Sequence, residues 1–327
     1  MIRSHRSAWR SVALRATIFG SLLSGVLAVS GWRTHQAPEP IKFARLPHIA
    51  NDGRIAFTYH DDIWAADADG SHPIRLTAHV ARDFGPRFSP DGKWIAFTSN
   101  RTGNNDVFIM PSTGGEPQQL TWFSGDDQAL YWTPDGKSII ISSNRGPSSF
   151  GSPLYVLPID GAPPTPMPMA SARAGMLKQD ATLVAYNRTL PSAWRKGFRG
   201  NATADIAVED VKTGEIVEIT DTDLKQYQTH VNDVFPMWGA DGMIYYSSER
   251  DGTYNIWRVS PKGGNQQQVT HFKDGGVFVP AVSPDGRKMI FQNEFDLYAI
   301  DLPGGTPRKL SILFHQPEGY RYHPSPK

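Results

Sequence analysis

The stretch Ala193-Trp194-Arg195-Lys196-Gly197-Phe198-Arg199-Gly200 gathers three cations and two aromatic rings in one short run. Guanidinium groups grip a carboxylate through paired hydrogen bonds, and ring faces accept cations or apolar side chains. Trp194, Arg195, Lys196, Phe198 and Arg199 are therefore the candidate peptide-binding set, suited to a carboxylate or a peptide chain terminus. The same residues admit an architectural reading, in which Arg stacks on Trp and merely pins a long loop. Chemistry is sparse elsewhere. The sequence has no Gly-x-Ser-x-Gly elbow, no phosphate loop and no His-Glu-x-x-His zinc helix. It has no cysteine, which excludes disulfides, thiolate zinc sites, cysteine nucleophiles and a lipoprotein anchor together. Asp67-x-Asp69-Gly70 opens like a calcium loop but lacks the distal Glu, and reads as a turn. No catalytic residue, metal ligand or cofactor is assigned.

Those residues need a scaffold, and composition narrows it. Lys and Arg total 33 against 32 Asp and Glu, so no basic field exists to hold a nucleic acid. The chain carries 30 Gly and 26 Pro, and 11% of it is aromatic. Many turns and many rings describe short strands joined tightly, not helices. At the N-terminus, Arg3, Arg6, Arg10 and Arg15 precede and flank the apolar run Ala16 to Val29, which ends at Ala28-Val29-Ser30. A basic stretch, an apolar core and a small-x-small site describe a secretory signal over residues 1–30, with an uncleaved anchor and an Arg- and Ser-rich organellar transit peptide as the alternative readings. The run falls short of the ~20 residues that span a bilayer. The expectation is an exported protein, periplasmic or extracellular, with no integral membrane domain once the signal is cleaved.

A four-part phrase recurs from residue 47 onward. Its first landmark is a turn: Asn51-Asp52-Gly53, Pro90-Asp91-Gly92, Pro134-Asp135-Gly136, Ala240-Asp241-Gly242 and Pro284-Asp285-Gly286, with a degenerate copy at Lys178-Gln179-Asp180. Asp-Gly is expected to supply the positive φ angles of a two-residue hairpin. Short apolar runs follow each turn, such as Ile95-Ala96-Phe97-Thr98 and Ile139-Ile140-Ile141-Ser142, as strands buried on both faces require. Third strands open with a polar residue, as in Asp62-Ile63-Trp64 and Asp106-Val107-Phe108. Fourth strands close on Leu76-Thr77, Leu120-Thr121 or Val269-Thr270. Arg101, Arg145 and Arg250 recur after the second strand and are expected to form salt bridges between blades. His79 and His271 fall at equivalent points just after fourth strands, which reads as architecture.

Six copies of four strands fill residues 42–312. One four-stranded sheet cannot bury both faces, but a ring of sheets can. The fold class is therefore all-β: a six-bladed β-propeller of four-stranded antiparallel blades. Each copy carries its own first and fourth strands, so the ring is expected to close by packing of blades one and six without a shared strand. Residues 31–41 form a linker and 313–327 an irregular tail. Blade four departs from the repeat, because its connection between second and third strands swells to Thr189–Ala204 and carries the cation-rich stretch.

The chain resembles the first propeller of the tricorn protease family over residues 42–312. The resemblance rests on Pro86-Arg87-Phe88-Ser89-Pro90-Asp91-Gly92-Lys93-Trp94-Ile95-Ala96-Phe97, on Gly114-Gly115-Glu116-Pro117 and on Trp132-Thr133-Pro134-Asp135-Gly136-Lys137. Propellers of the TolB type share the first of these. The stretch Trp194–Gly200 leading to Asp205-Ile206 is more particular to tricorn-like chains. The resemblance implies a large serine peptidase whose first propeller passes or filters peptides and cleaves no bond. It implies no nucleophile for these residues, because the catalytic module is absent from the sequence. The family's Arg pair, which helps anchor a substrate carboxyl end, is replaced here by Gly146-Pro147-Ser148-Ser149-Phe150.

Three functions compete at this point. The first is a non-catalytic, peptide-handling propeller of a tricorn-like exported peptidase, with a truncated product one form of it. The second is a stand-alone TolB-like periplasmic propeller that scaffolds a protein partner. The third is an enzyme with its site in the central channel, which requires converging His, Arg and carboxylates that the sequence does not offer. The partners expected are peptides or a protein, and no nucleic acid.

Overall fold

The computed structural model describes residues 40–145, 153–167, 174–188, 197, 203–220 and 231–313. These form six four-stranded antiparallel sheets, each built from four consecutive strands in sequence order. The first strands are Arg45–Ile49, Asp83–Phe88, Asp127–Trp132, Gly175–Leu177, Asp233–Trp238 and Val277–Val282. They neighbour one another around the middle of the ring, and the short fourth strands, such as Gln118–Gln119 and Arg308–Lys309, lie at its rim. The six-bladed propeller is as expected.

The continuous apolar runs have a simple cause. Side chains alternate across a strand, and each blade is packed on both faces. In the second strand of blade two, Ile95 and Phe97 join Ala50, Ala56 and Ile63 of blade one. Ala96, between them, faces Ala129, Trp132 and Ile139 of blade three. The pattern repeats between every pair of neighbours. Blades six and one share a core in which Ile290, Leu297 and Ile312 meet Ile41, Ile55 and Phe57.

Closure therefore rests on packing between four-stranded blades. Two polar clasps reinforce it. The Asn51 amide donates to the Pro90 carbonyl at 3.0 Å, and its Oδ1 accepts the Asp285 N–H at 2.9 Å. One side chain thus ties blade one to both neighbours. The Ile41 N–H also donates to the Ile312 carbonyl at 2.7 Å, beside a single bridge between Pro40 and Leu313. That contact stops short of a fifth strand.

Two expectations need correction. The turns after the first strands are not two-residue hairpins with two positive φ angles. In Ser89-Pro90-Asp91-Gly92 only Gly92 is left-handed, at φ 69°, and its N–H donates to the Ser89 carbonyl at 2.9 Å. Pro90 suits the negative φ of the second turn position, and Asp91 acts through its side chain, accepting from Lys93 N–H and Ser89 Oγ. Nor do the recurring arginines bridge blades. Arg101 donates to both oxygens of Asp83 at 2.9 and 2.8 Å, and Arg250 to both of Asp233 at 2.9 and 2.7 Å. Arg145 pairs with Asp127. Each Asp opens the first strand of the same blade, because the hairpin returns the chain to that point.

The Thr two residues beyond a fourth strand, Thr121 in blade two, has a comparable local role. Its hydroxyl accepts the N–H of Val107 at 2.9 Å in blade two and donates to Asp106 at 2.9 Å, tying third strand to fourth. Thr77 and Thr270 repeat the arrangement. These polar landmarks are architectural.

Candidate functional site

The five residues proposed for peptide binding, Trp194, Arg195, Lys196, Phe198 and Arg199, lie outside the described residues. So does the loop Gly146–Phe150. Within the cation-rich stretch only Gly197 is described, and its N–H donates to the Glu249 carboxylate at 2.6 Å. Glu249 stands just after the second strand of blade five, so Gly197 is tied to that point.

What the structure assembles instead is a central cavity of about 120 Å³ whose wall takes residues from all six first strands. Its shape comes from a device repeated in those strands. The pairing register slips in blades one, two, three, five and six, and the extra residue bulges toward the middle. Pro47, Pro86, Pro236 and Pro280 sit at four of these bulges, where the inner edge needs no ladder donor. The residues before them are left-handed: Leu46 at 48°, Gly85 at 66°, Phe235 at 58° and Val279 at 40°. For a β-branched residue such as Val279 that conformation is strained, and strain of this kind gathers at functional sites.

Neighbouring blades hold the bulges in place. Thr58 of blade one accepts the Gly85 N–H at 3.0 Å, Thr98 of blade two the Ala129 N–H at 3.1 Å, and Asn187 of blade four the Phe235 N–H at 3.2 Å. The wall is thus fixed by inter-blade contacts and not by the strands alone.

Each of the five bulges then aims one residue at the cavity, the first strand of blade four adds a sixth without a bulge, and the six differ by side. Blades one, two and three contribute His48, Arg87 and Tyr131. Blades four, five and six contribute Met176, Met237 and Ala281, with Phe235 and Pro280 beside them. One side is polar and the other apolar. Among the described residues, none lining the cavity is acidic.

Hydrogen bonds orient the polar side. Arg87 Nε donates to the Leu130 carbonyl at 2.6 Å and a terminal nitrogen donates to the Pro86 carbonyl at 2.9 Å. The Trp132 indole donates to the Arg87 carbonyl at 2.9 Å, fixing its backbone from the next blade. Burial draws the Arg87 guanidinium down to about 10. Tyr131 accepts the Leu177 N–H at 3.2 Å, and burial pushes its phenol well above the usual range. His48 Nδ1 accepts the Phe88 N–H at 3.2 Å, so the neutral ring carries its proton on Nε2.

Burial first, and then the Arg87 charge, hold His48 well below the usual imidazole value of 6.5. The folded ring refuses a proton that the unfolded chain accepts. The stability so conferred is complete above pH 6.5 and is lost as pH falls from there toward the folded value. The limiting slope is about 1.4 kcal/mol per pH unit for one proton. Urea unfolding of His48→Gln from pH 7.5 downward is expected to show a flatter decline than the unaltered chain. Parallel declines would remove His48 from the acid response.

Sequence reasoning passed over this wall, although a signal for it exists. Pro47, Pro86, Pro236 and Pro280 each stand five residues before a turn Asp, and the residue after each faces the cavity.

Comparison with known proteins agrees with the architecture. Residues 41–306 match the family described as the tricorn protease N-terminal beta propeller domain. Tricorn protease homolog 1 of Streptomyces coelicolor is 29% identical over 277 residues, covering 84% of this chain and 25% of that protein. The crystal structure of the tricorn protease superposes with a TM-score of 0.71 at 24% identity, over 85% of this chain and 27% of that one. TolB from Acinetobacter baumannii gives 0.57 at 23% identity, over 72% of this chain and 56% of TolB. The chain thus spans about a quarter of the length of the tricorn relatives it matches.

Proposed function

This chain belongs to the family of the tricorn protease N-terminal β-propeller domain, and from that premise we propose that it is a non-catalytic propeller that receives peptides for a serine peptidase. The observation that carries the reading is the central cavity, which offers hydrogen-bond donors on one side and apolar side chains on the other. A peptide presents both kinds of surface, and a rigid ring is suited to selecting among them. The matched segment corresponds to about a quarter of the tricorn relatives, so bond cleavage is assigned to a partner module and not to this propeller. Residues 1–30 serve as the export signal, 31–41 as a linker and 313–327 as a tail, which places the propeller in the periplasm or outside the cell.

Trp194, Arg195, Lys196, Phe198 and Arg199 complete the reading as the loop that first engages the peptide. Anisotropy of a fluorescent peptide tests it. Arg195→Ala with Arg199→Ala is expected to weaken binding about tenfold or more, since bonds to charged groups contribute about 1.5–3 kcal/mol each. The TolB-like alternative, a scaffold for one protein partner, predicts indifference to this change.

A further inference from the structure

We propose that the cavity wall around Arg87 is a binding site for a carboxylate carried on an apolar body, such as the free C-terminal residue of a peptide or a small apolar acid. The inference names the ligand of the cavity described above and so rests on the peptide-handling reading.

The first observation is a surplus of donors. A guanidinium has five N–H groups, and two of those on Arg87 are taken by the carbonyls of Leu130 and Pro86. Three remain without a partner among the described residues. The Tyr131 hydroxyl accepts from Leu177, and its own hydrogen has no acceptor among the described residues. The proton on His48 Nε2 is likewise unclaimed there. All three side chains line one cavity whose described lining holds no Asp or Glu.

The second observation is a contrast within this chain. Arg101, Arg145 and Arg250 are also half-buried, and each is neutralised by a buried Asp. Arg87 alone of these four is oriented by carbonyls and left with no carboxylate among the described residues. Desolvating a charge without a counter-charge is costly, and a bound carboxylate offsets that cost. Neutral peptide groups do so less well, because bonds between two ions are the stronger class.

The third observation is the far wall. Met176, Met237, Phe235 and Ala281 give an apolar surface across from the cations, and thioether side chains adapt to varied shapes. A ligand that satisfies both walls is anionic at one end and apolar beside it.

Calorimetry on the full chain tests this with N-acetyl-leucine, N-acetyl-leucinamide, and a peptide ending in leucine as free acid or as amide. The free acids are expected to bind about tenfold or more tighter than the amides. Arg87→Met is expected to erase that preference without lowering the melting temperature. Equal binding of acid and amide by the unaltered chain overturns the assignment, whatever the variant does. Tighter binding of the acid peptide than of N-acetyl-leucine identifies a chain terminus as the ligand, and equal binding identifies a small acid; either supports the site. Failure of every peptide to bind while N-acetyl-leucine binds ends the peptide-handling reading and leaves the carboxylate site standing.

Discussion

Replacing Arg101 by Met is expected to lower folding stability by about 3–5 kcal/mol, the range for removing one partner of a buried ion pair. Asp83 is fully buried, and Arg101 supplies donors to both of its oxygens. Without the guanidinium that carboxylate is stranded inside blade two. The loss also removes a stacking contact, since the Arg101 guanidinium lies 4.8 Å from the Phe108 ring centre. A second change separates the two effects. Asp83→Asn combined with Arg101→Met removes the stranded charge, and most of the stability is expected to return. Equilibrium unfolding in urea measures both. A single variant that loses under 1 kcal/mol would show that the pair is screened by solvent after all.

Gly286→Ala is expected to cost about 2–5 kcal/mol, from two separable causes. A left-handed conformation costs a non-glycine residue about 1–2 kcal/mol, and forcing an atom into a packed site adds about 1–3. Gly286 has φ 72°, and a Cβ there would lie 2.6 Å from the Ala240 nitrogen and 2.8 Å from the Gly239 carbonyl carbon. Those atoms belong to the turn of blade five, which cannot yield without breaking the Ala240 N–H bond to the Gly286 carbonyl. Gly242 supplies the control. Its φ is 74°, and a Cβ there meets nothing. Gly242→Ala is therefore expected to show the backbone cost alone, and the difference between the two variants isolates the close approach of blades five and six.

These cases show what was legible in the sequence. The blades were, because turn residues recur at a fixed place and the apolar runs report burial on two faces. Partner choice was less so. The spacing from Asp83 to Arg101 matches that from Asp127 to Arg145, and the hairpin places Asp83 opposite Ser99. A pairing within one blade follows from that register, yet the recurrence of arginine by itself suggested contacts between blades. The two-residue hairpin failed for a local reason: only the Gly is left-handed, and the Asp side chain accepts the N–H two residues on, in the proline-free turn at Asp241 as at Asp91.

The cavity was the hardest to read. His48, Arg87 and Tyr131 belong to strands that look ordinary in sequence, and a bulge decides which side chain turns inward. The bulge depends in turn on Thr58, Thr98 and Asn187 of neighbouring blades, contacts between residues far apart in the chain. The cation-rich stretch stood out by composition instead, and its five candidate side chains fall outside the described residues.

Methyl NMR with labelled methionine tests peptide reception by the central cavity most directly. Met176 and Met237 line the cavity, whereas Met110 and Met289 are fully buried in cores between blades. On titration with a peptide ending in a free leucine carboxylate, the Met176 and Met237 resonances are expected to shift together while Met110 and Met289 stay in place. Peptide binding that leaves Met176 and Met237 unmoved, or no response from any methyl, would contradict reception through the central cavity.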